Sequence, residues 1–229
     1  MLKTLVSFFA IFIFLGNVIA QYSETPDYSN FRSVVEQPPS QYISPLGTDS
    51  EPVTIDGFDN FFLGVDFGEP YIATNPTDPL NSICAFNINN FYYTIDGNNW
   101  TKVGVPFPGF SVIGDPVVCF DSLGIAYYVQ LYQNGSVYGI AIAKSTNKGI
   151  TWSGAYNVHS YSGLADKEWI VADQTAGPYS NNLYIGWRQF GSTGMGFTRS
   201  TDGGLTWSSA VVTIIGTQGA YVAVGPNGS

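Results

Sequence analysis

The sequence predicts an all-β fold, a β-propeller built from successive four-stranded sheets. Two observations lead to this prediction: the composition of the chain and a repeat of about fifty residues within it. The 229 residues include 15 Tyr, 16 Phe and 26 Gly, and aromatic and β-branched residues favour strands over helices. From Glu69 onward the repeats close on Trp100, Trp152 and Trp207, at intervals of 52 and 55 residues. Periods of this kind are typical of folds in which each repeat forms one supersecondary unit.

The first segment, residues 1–20, has the order of residues that defines a secretory signal peptide. Lys3 provides the basic start, an apolar run extends from Leu5 to Leu15, and the cleavage point is predicted after Ala20. The run is shorter than the roughly twenty apolar residues that span a bilayer, so a membrane anchor is the less favoured alternative. We therefore predict a chain that is secreted, periplasmic or at the cell surface, without membrane insertion after cleavage.

The rest of the chain divides into a leader and a repeat domain. Residues 21–64 are rich in proline and polar residues and lack periodicity, which predicts a leader or linker. Residues 65–229 hold the repeats, and in the second of these, short apolar runs alternate with turn signals such as Asn134-Gly135. Four such runs predict an antiparallel meander, one propeller blade per repeat. A fourth repeat starts at Gly219, so we expect three blades, the start of a fourth, and a chain that continues in a longer protein.

The charge and the chemistry-bearing residues exclude several classes of function. Removal of the signal peptide deletes Lys3 and no acid, which changes the formal net charge from −9 to −10. A charge of this sign disfavours nucleic acid and anionic membranes as partners. His159 is the only histidine and is predicted in an exposed loop, so His-based metal sites and Ser-His-Asp triads are excluded, and no metal or cofactor is predicted. Cys84 and Cys119 lie in apolar runs of an exported chain, so a disulfide and two buried thiols both remain open.

An eight-residue motif occurs in two nearly identical copies, as STNKGITW at residues 145–152 and STDGGLTW at residues 200–207. The second copy matches the Asp-box pattern S-x-D-x-G-x-T-W in full, and a shortened form closes the first repeat. The chain therefore resembles the sialidase-like superfamily of BNR (Asp-box) repeat propellers over residues 65–229. The resemblance implies that the box is the turn between the third and fourth strands of a blade, on the face opposite the family's active sites, with its tryptophan largely buried between blades. The structural box residues are then Asp96, Trp100, Ser145, Asn147, Trp152, Ser200, Asp202, Gly204 and Trp207.

Candidate ligand-binding residues are predicted at the other end of the blades. In propellers that end gathers the turns that enter the innermost strands, and acidic residues recur there in all three repeats. An acid in such a place also caps a turn, as the pairs Glu69-Pro70 and Asp115-Pro116 allow, so both interpretations stay open. The loops near Asn134 and at residues 191–194 reach the same end. The candidate channel-mouth residues are Glu69, Asp115, Asp166, Lys167, Glu168 and Arg188.

The resemblance raises the question of catalysis. Sialidases hold the substrate carboxylate with three arginines, whose guanidinium groups pair bidentately with it, and they use a tyrosine nucleophile supported by a glutamate and an aspartate acid/base. This chain has Arg32 in the leader, Arg199 beside a box and Arg188 as the one suitable candidate. We therefore assign no catalytic residue and predict a binding or surface-interaction module for an extracellular glycan or surface protein. The alternatives are an exo-α-sialidase-type glycoside hydrolase with most catalytic residues beyond residue 229, and a structural repeat of a large adhesin.

Overall fold

A computed structural model describes residues 52–55, 57–61, 63, 68–88, 90–161, 163–190, 194–213 and 219–228. The chain divides into two units, Met1–Pro45 and Leu46–Ser229, and all described residues belong to the second. The predicted signal peptide and most of the predicted leader lie outside the described residues, as do residues 191–193 of the predicted mouth loop. The described end of the leader forms a short hairpin over residues 53–60, where the sequence predicts no strand. Within the described ranges there is no helix long and apolar enough to cross a membrane.

The described residues form strands arranged in the order that the repeats predict. A short hairpin comes first and is followed by three four-stranded antiparallel sheets, the first, second and third blades. The all-β prediction of one four-stranded sheet per repeat is confirmed. The hairpin is β1 (Val53–Ile55) and β2 (Phe58–Asn60); the first blade is β3 (Tyr71–Asn75), β4 (Asp78–Phe86), β5 (Asn90–Thr94) and β6 (Thr101–Val103); the second is β7 (Val112–Phe120), β8 (Ala126–Asn134), β9 (Val137–Ser145) and β10 (Tyr156–Tyr161); the third is β11 (Ala165–Ala172), β12 (Leu183–Gln189), β13 (Met195–Ser200) and β14 (Val211–Val212).

Each blade is a simple meander in which neighbouring strands are consecutive in the sequence. Short turns make this order possible: β8 and β9 pair from Ala126–Ser145 to Asn134–Val137, which leaves two residues in the turn, and Gly135 there has φ of 63°. The first strands of the blades are innermost, since β7 contacts both β3 and β11. These three strands and residues 221–226 line a central channel of about 510 Å³. The described part of the fourth repeat, residues 219–228, lies beside the channel without pairing to a described strand.

The core lies between the blades and not within any one of them. Along β8, Tyr127 and Val129 belong to the cluster that joins the second and third blades, whereas Tyr128 and Tyr132 belong to the cluster that joins the first and second. Successive side chains of a strand point to opposite faces of its sheet, so both faces of the second blade are covered. This explains why the sequence AYYVQLY is buried at every position.

Two interpretations of single residues are settled by the strands that hold them. The prediction of an exposed loop at His159 is wrong: the residue lies in β10, and its ring packs 4.7 Å from that of Trp187, between centroids. Burial lowers the pKa of this imidazole. Cys84 in β4 and Cys119 in β7 are both free thiols, so the structure has the buried-thiol alternative and not the disulfide. Burial raises the pKa of the Cys84 thiol to about 11, which keeps it protonated and unreactive at neutral pH.

The close pairing of Gly196 with Trp187 gives a first testable prediction. The two residues are opposite each other on β12 and β13, and a Cβ on Gly196 would lie 2.0 Å from Cε2 of the fully buried indole. We expect Gly196→Ala to lower the free energy of unfolding by about 1–3 kcal/mol, since overpacking forces the core apart. Gly154→Ala is the matched control, because a Cβ there meets nothing within 4 Å. Urea unfolding of both variants makes the comparison, and equal midpoints would contradict this account of the core.

Candidate functional site

The Asp-box turns and the predicted mouth residues lie at opposite ends of each blade. The first and third strands of a meander run in the same direction, so the start of the first strand and the turn after the third are at opposite ends. In the second blade, Phe120 at the end of β7 is opposite Ala126, which pairs with the box residue Ser145. Asp115 lies near the other end of β7. We call these two ends the box end and the mouth end.

The hydrogen bonds of the full Asp box are satisfied within its own turn. Ser200 Oγ accepts from the backbone N–H of Gly204 at 2.9 Å, and Asp202 Oδ1 accepts from the N–H of Thr206 at 2.9 Å. The Trp207 indole N–H donates to the carbonyl of Gly204 at 3.2 Å. Hydrogen bonds from the Thr206 hydroxyl, the Thr206 N–H, the Ser200 hydroxyl and the Leu205 N–H lower the pKa of Asp202 to about 2. Both oxygens of this carboxylate accept from groups of the turn itself.

The two variant boxes use the same geometry with different side chains. Asn147 replaces the aspartate in the second blade, and its Oδ1 accepts from the Thr151 N–H at 2.9 Å. In the first blade, Asp96 Oδ1 accepts from the backbone N–H groups of Asn98 and Asn99 at 2.9 and 2.8 Å. An acceptor at this position is therefore the common requirement, and a negative charge is not.

The box tryptophans are less buried than the sequence predicts. Trp152 and Trp207 are both half-buried, although Trp152 packs edge-on against Phe91 at 5.1 Å between ring centroids. Each indole N–H is held by a carbonyl of its own turn, at the end of the sheet. One edge of the ring therefore remains at the surface of the box end.

At the mouth end, three predicted residues occupy equivalent positions with the same unusual backbone. Glu69, Asp115 and Lys167 each lie two residues before Tyr71, Val117 and Trp169 of the innermost strands, and their φ angles are 56°, 55° and 51°. Residues other than glycine rarely adopt the left-handed region, which costs of order 1–3 kcal/mol, and such residues cluster at ligand-binding and active sites.

Irregular strand pairing accompanies this backbone. The pairing of β7 with β8 shifts between Gly114 and Val117, and that of β11 with β12 shifts between Asp166 and Trp169. Bulges of this kind re-aim the side chains that they contain. Asp115 and Lys167 lie within these two bulges, and both approach each other across the blades.

Polar contacts join the mouth residues of all three blades. Lys167 Nζ forms an ion pair with Glu69 Oε1 and lies 3.5 Å from Asp115 Oδ1. Asn87 donates through Nδ2 to Glu69 Oε2 at 2.6 Å and accepts through Oδ1 from the Asp115 N–H at 2.7 Å. The Lys167 N–H in turn donates to Asp115 Oδ2 at 3.2 Å. We call Glu69, Asn87, Asp115 and Lys167 the mouth cluster.

The pKa values of the two carboxyl groups of the mouth cluster are shifted in opposite directions. Burial raises the pKa of Asp115 to about 7, and the adjacent carboxyl groups of Glu69 and Asp166 add to this effect. The pKa of Glu69 falls to about 2, because the carboxyl of Asp115 is hydrogen-bonded to it and because Lys167 and Asn87 donate to it. Glu69 is therefore the anion of the pair at neutral pH, while Asp115 is poised between its two protonation states.

A cleft of about 270 Å³ opens beside the mouth cluster. Glu168 contributes to its lining, is 1% exposed, and has no hydrogen-bond partner on another residue at either carboxyl oxygen. Burial raises the pKa of Glu168 well above its usual range, which favours the neutral acid. Tyr71 and Trp169 form the aromatic part of the lining, with ring centroids 5.0 Å apart, and both also line the central channel.

The remaining predicted mouth residues lie to one side of the cleft. Asp166 is opposite Arg188 in the pairing of β11 with β12. Arg188 donates through Nη1 to the carbonyl of Gly194 at 2.9 Å, and its guanidinium lies 5.1 Å from the centroid of the Phe190 ring. Neither Asp166 nor Arg188 lines the cleft or the channel.

Three residues of this site are missing from the sequence-based set. Asn87, Tyr71 and Trp169 complete it, and the aromatic pair had a signal in the sequence, since each ring follows a predicted mouth residue at the same spacing. In the described part of the chain, no group of three or more His, Cys, Asp or Glu residues is arranged to hold a metal ion.

Comparison with known proteins finds similarity only to solved structures. No family model matches the chain, and no curated protein does. The chain is similar to the Hadza microbial sialidase Hz136, with 11% identity and a TM-score of 0.47 over 62% of this chain and 32% of that one. It is also similar to the intramolecular trans-sialidase from Ruminococcus gnavus, solved in complex with oseltamivir carboxylate, with 18% identity and a TM-score of 0.40 over 59% and 27% of the two chains. The chain thus spans about a third or less of the length of these structures.

Proposed function

We propose that this chain is the ligand-binding part of an exported sialidase-like propeller, and that the cleft at its mouth end binds an extracellular glycan. One observation carries the proposal: side chains from three blades converge on a cleft that combines an aromatic wall with carboxyl groups. Sugars present apolar C–H faces and hydroxyl groups, and aromatic rings with a few well-placed polar groups are the complement to both.

The size of the cleft favours a sugar over a protein surface as the ligand. A volume of about 270 Å³ suits one or two sugar units. A protein partner needs a broad contact area, commonly about 800 Å² on each side. The predicted signal peptide supports the extracellular location of such a ligand.

Sialidase-type hydrolysis is the second candidate, and the carboxyl pair is the feature in its favour. Glu69 and Asp115 differ in pKa as an acid and a base do. Carboxylate recognition, however, requires convergent guanidinium groups. Among the described residues, Arg188 is the arginine at the mouth end, and it is directed to the Gly194 carbonyl. Binding without hydrolysis is therefore the better-supported function.

A glycan-binding experiment with an aromatic variant tests the proposal. The full chain should bind members of a panel of neutral, amino and sialylated oligosaccharides in calorimetry. Trp169→Ala should weaken the binding at least about fivefold, since one stacked aromatic contributes on the order of 1 kcal/mol or more. Tyr156→Ala, which removes an exposed ring from the outer strand β10, is the control and should bind like the parent.

Two results would count against this function. Absence of binding to every member of the panel would remove the proposal, provided that circular dichroism shows the same strand content for parent and variants. Release of sialic acid from a fluorogenic sialoside by the chain, and its loss in Arg188→Ala, would establish the hydrolase in its place.

A further inference from the structure

We propose that the mouth cluster recognises a primary ammonium group, so that the glycan bound there carries free amino groups, as a glucosamine oligomer does. This inference rests on the proposed function and names its ligand class. Four observations support it: an ammonium already held by the cluster, the sign of the local charge, an unpartnered buried carboxyl and the aromatic wall.

The chain's own ammonium shows what the cluster can hold. Lys167 Nζ from the third blade lies between Glu69 of the first and Asp115 of the second. An ammonium group has three donors and no acceptor, and acceptor oxygens around it satisfy those donors. The Lys167 side chain is 39% exposed and has a flexible stem, so a ligand ammonium can take its place without a change in the backbone.

The local charge disfavours the anionic sugars that the resemblance to sialidases would lead one to expect. Glu69 and Asp166 help to raise the pKa of Asp115, and Asp115 and Asp166 help to raise that of Glu168, so four carboxyl groups lie close together; the cation of the mouth cluster is Lys167. A ligand carboxylate entering this group meets like charge, which selects against it, whereas a cationic or neutral sugar does not.

Glu168 is a second and independent sign of a ligand at the cleft. Its buried oxygens have no hydrogen-bond partner on another residue, although nearly all buried polar groups in proteins are paired. The equivalent positions of the other two blades are Pro70 and Pro116, so the geometry of a blade does not require a carboxyl there. Glu168 lines the same cleft as Glu69 and Asp115, so a turn of its side chain would bring a third acceptor to the ligand ammonium once Lys167 has moved away.

The aromatic wall fits the same ligand. Tyr71 and Trp169 line the cleft with Glu168, and their rings meet edge to face. A ring of this kind stacks on a sugar and also attracts a cation near its face. An amino sugar satisfies both requirements at once, because its ring and its ammonium are joined by one bond.

Competition with Lys167 makes the inference testable. In calorimetry at neutral pH, we expect glucosamine oligomers to bind the full chain about tenfold more tightly than N-acetylglucosamine oligomers of equal length, as one charge-assisted hydrogen bond allows, and sialyllactose to bind least. Lys167→Met should strengthen glucosamine binding by about tenfold and leave N-acetylglucosamine binding unchanged. Glu69→Gln should remove the preference between the two.

Lys148→Met is the matched control for the lysine variant. Lys148 also has a left-handed backbone, with φ of 67°, and pairs with an aspartate of another blade, Asp78, at 2.7 Å, but at the box end. Its replacement should leave both affinities as in the parent. Any strengthening of glucosamine binding in this variant would show that removal of a surface lysine, and not vacancy of the mouth cluster, is the cause, and would overturn the inference.

The remaining outcomes separate this inference from the proposed function. Equal affinity for the two oligomers, or tighter binding of the acetylated or sialylated sugar, overturns the ammonium site but leaves glycan binding in place if Trp169→Ala still weakens it. A glucosamine preference that persists in Glu69→Gln reflects only attraction of a polycation to an acidic protein and also overturns the site. Absence of binding to all oligomers removes both proposals.

Discussion

Replacing Trp187 with alanine is expected to lower the free energy of unfolding by about 3–5 kcal/mol, the range for deletion of a buried aromatic side chain. The indole is fully buried in the cluster between the second and third blades. Its N–H donates to Gln189 Oε1 at 3.3 Å, and the cavity left by its removal would be bordered by His159 and by Gly196, neither of which can expand to fill it. Urea unfolding followed by tryptophan fluorescence or circular dichroism measures the change.

Trp207→Ala provides the comparison within the same blade. Trp207 is half-buried and bonded to its own turn, so its loss should cost less than that of Trp187. A larger loss for Trp207 than for Trp187 would mean that the Asp-box turns, and not the inter-blade clusters, hold the blades together. Similar m-values for both variants would show that the same cooperative unit unfolds.

The blades could be predicted from the sequence because the signals that define them are local. The turn at Asn134-Gly135 and the box at residues 200–207 each depend on contacts within a few residues. Which tryptophan is the more deeply buried could not be predicted from such local signals. Trp187 and Trp207 have the same side chain, and their burial differs because one lies in the middle of a covered sheet and the other at its end.

The sequence predicts the position of the mouth-end residues but not their backbone conformation. Its position follows from strand order, so Glu69, Asp115 and Lys167 could be placed together. Their left-handed backbone depends on contacts between blades, such as the bond from the Asp115 N–H to Asn87 Oδ1, 28 residues apart in the sequence. No pattern within one repeat contains that information.

The burial of Glu168 shows most clearly what the sequence alone does not predict. In the triplet Asp166-Lys167-Glu168, simple alternation would give the first and third residues the same surroundings. The shift in pairing between Asp166 and Trp169 breaks that alternation, leaving Asp166 half-buried and Glu168 fully buried. A bulge of one residue changes the face that a side chain occupies, and the sequence alone does not locate it.

Replacing Glu168 with methionine is expected to raise the free energy of unfolding at pH 7 by about 1–3 kcal/mol, the range for an unsatisfied buried polar group. The sign of the pH dependence follows from the raised pKa of this carboxyl. The folded state favours its protonated form, so its stability contribution is fully present below the unfolded pKa of about 4.3 and is lost as pH rises toward the folded pKa. This carboxyl should therefore lower the stability of the parent between pH 4.5 and 7, while His159, whose pKa is lowered by burial, contributes the opposite change equally in the parent and in Glu168→Met.

Asp115, Asp166 and Lys167 are the charged neighbours that act on the Glu168 carboxyl. The pKa of Asp115 is raised to about 7, so part of the loss of stability with rising pH should persist in Glu168→Met. In the double variant Glu168→Met with Asp115→Asn, the free energy of unfolding should depend still less on pH. Urea unfolding of parent and variants at pH 4.5 and pH 7 measures both effects. Equal slopes in the parent and Glu168→Met would show that the buried carboxyl is not protonated in the folded protein. A variant that is more stable but no longer binds glucosamine oligomers would instead indicate that the carboxyl is retained for its ligand, at a cost to the fold.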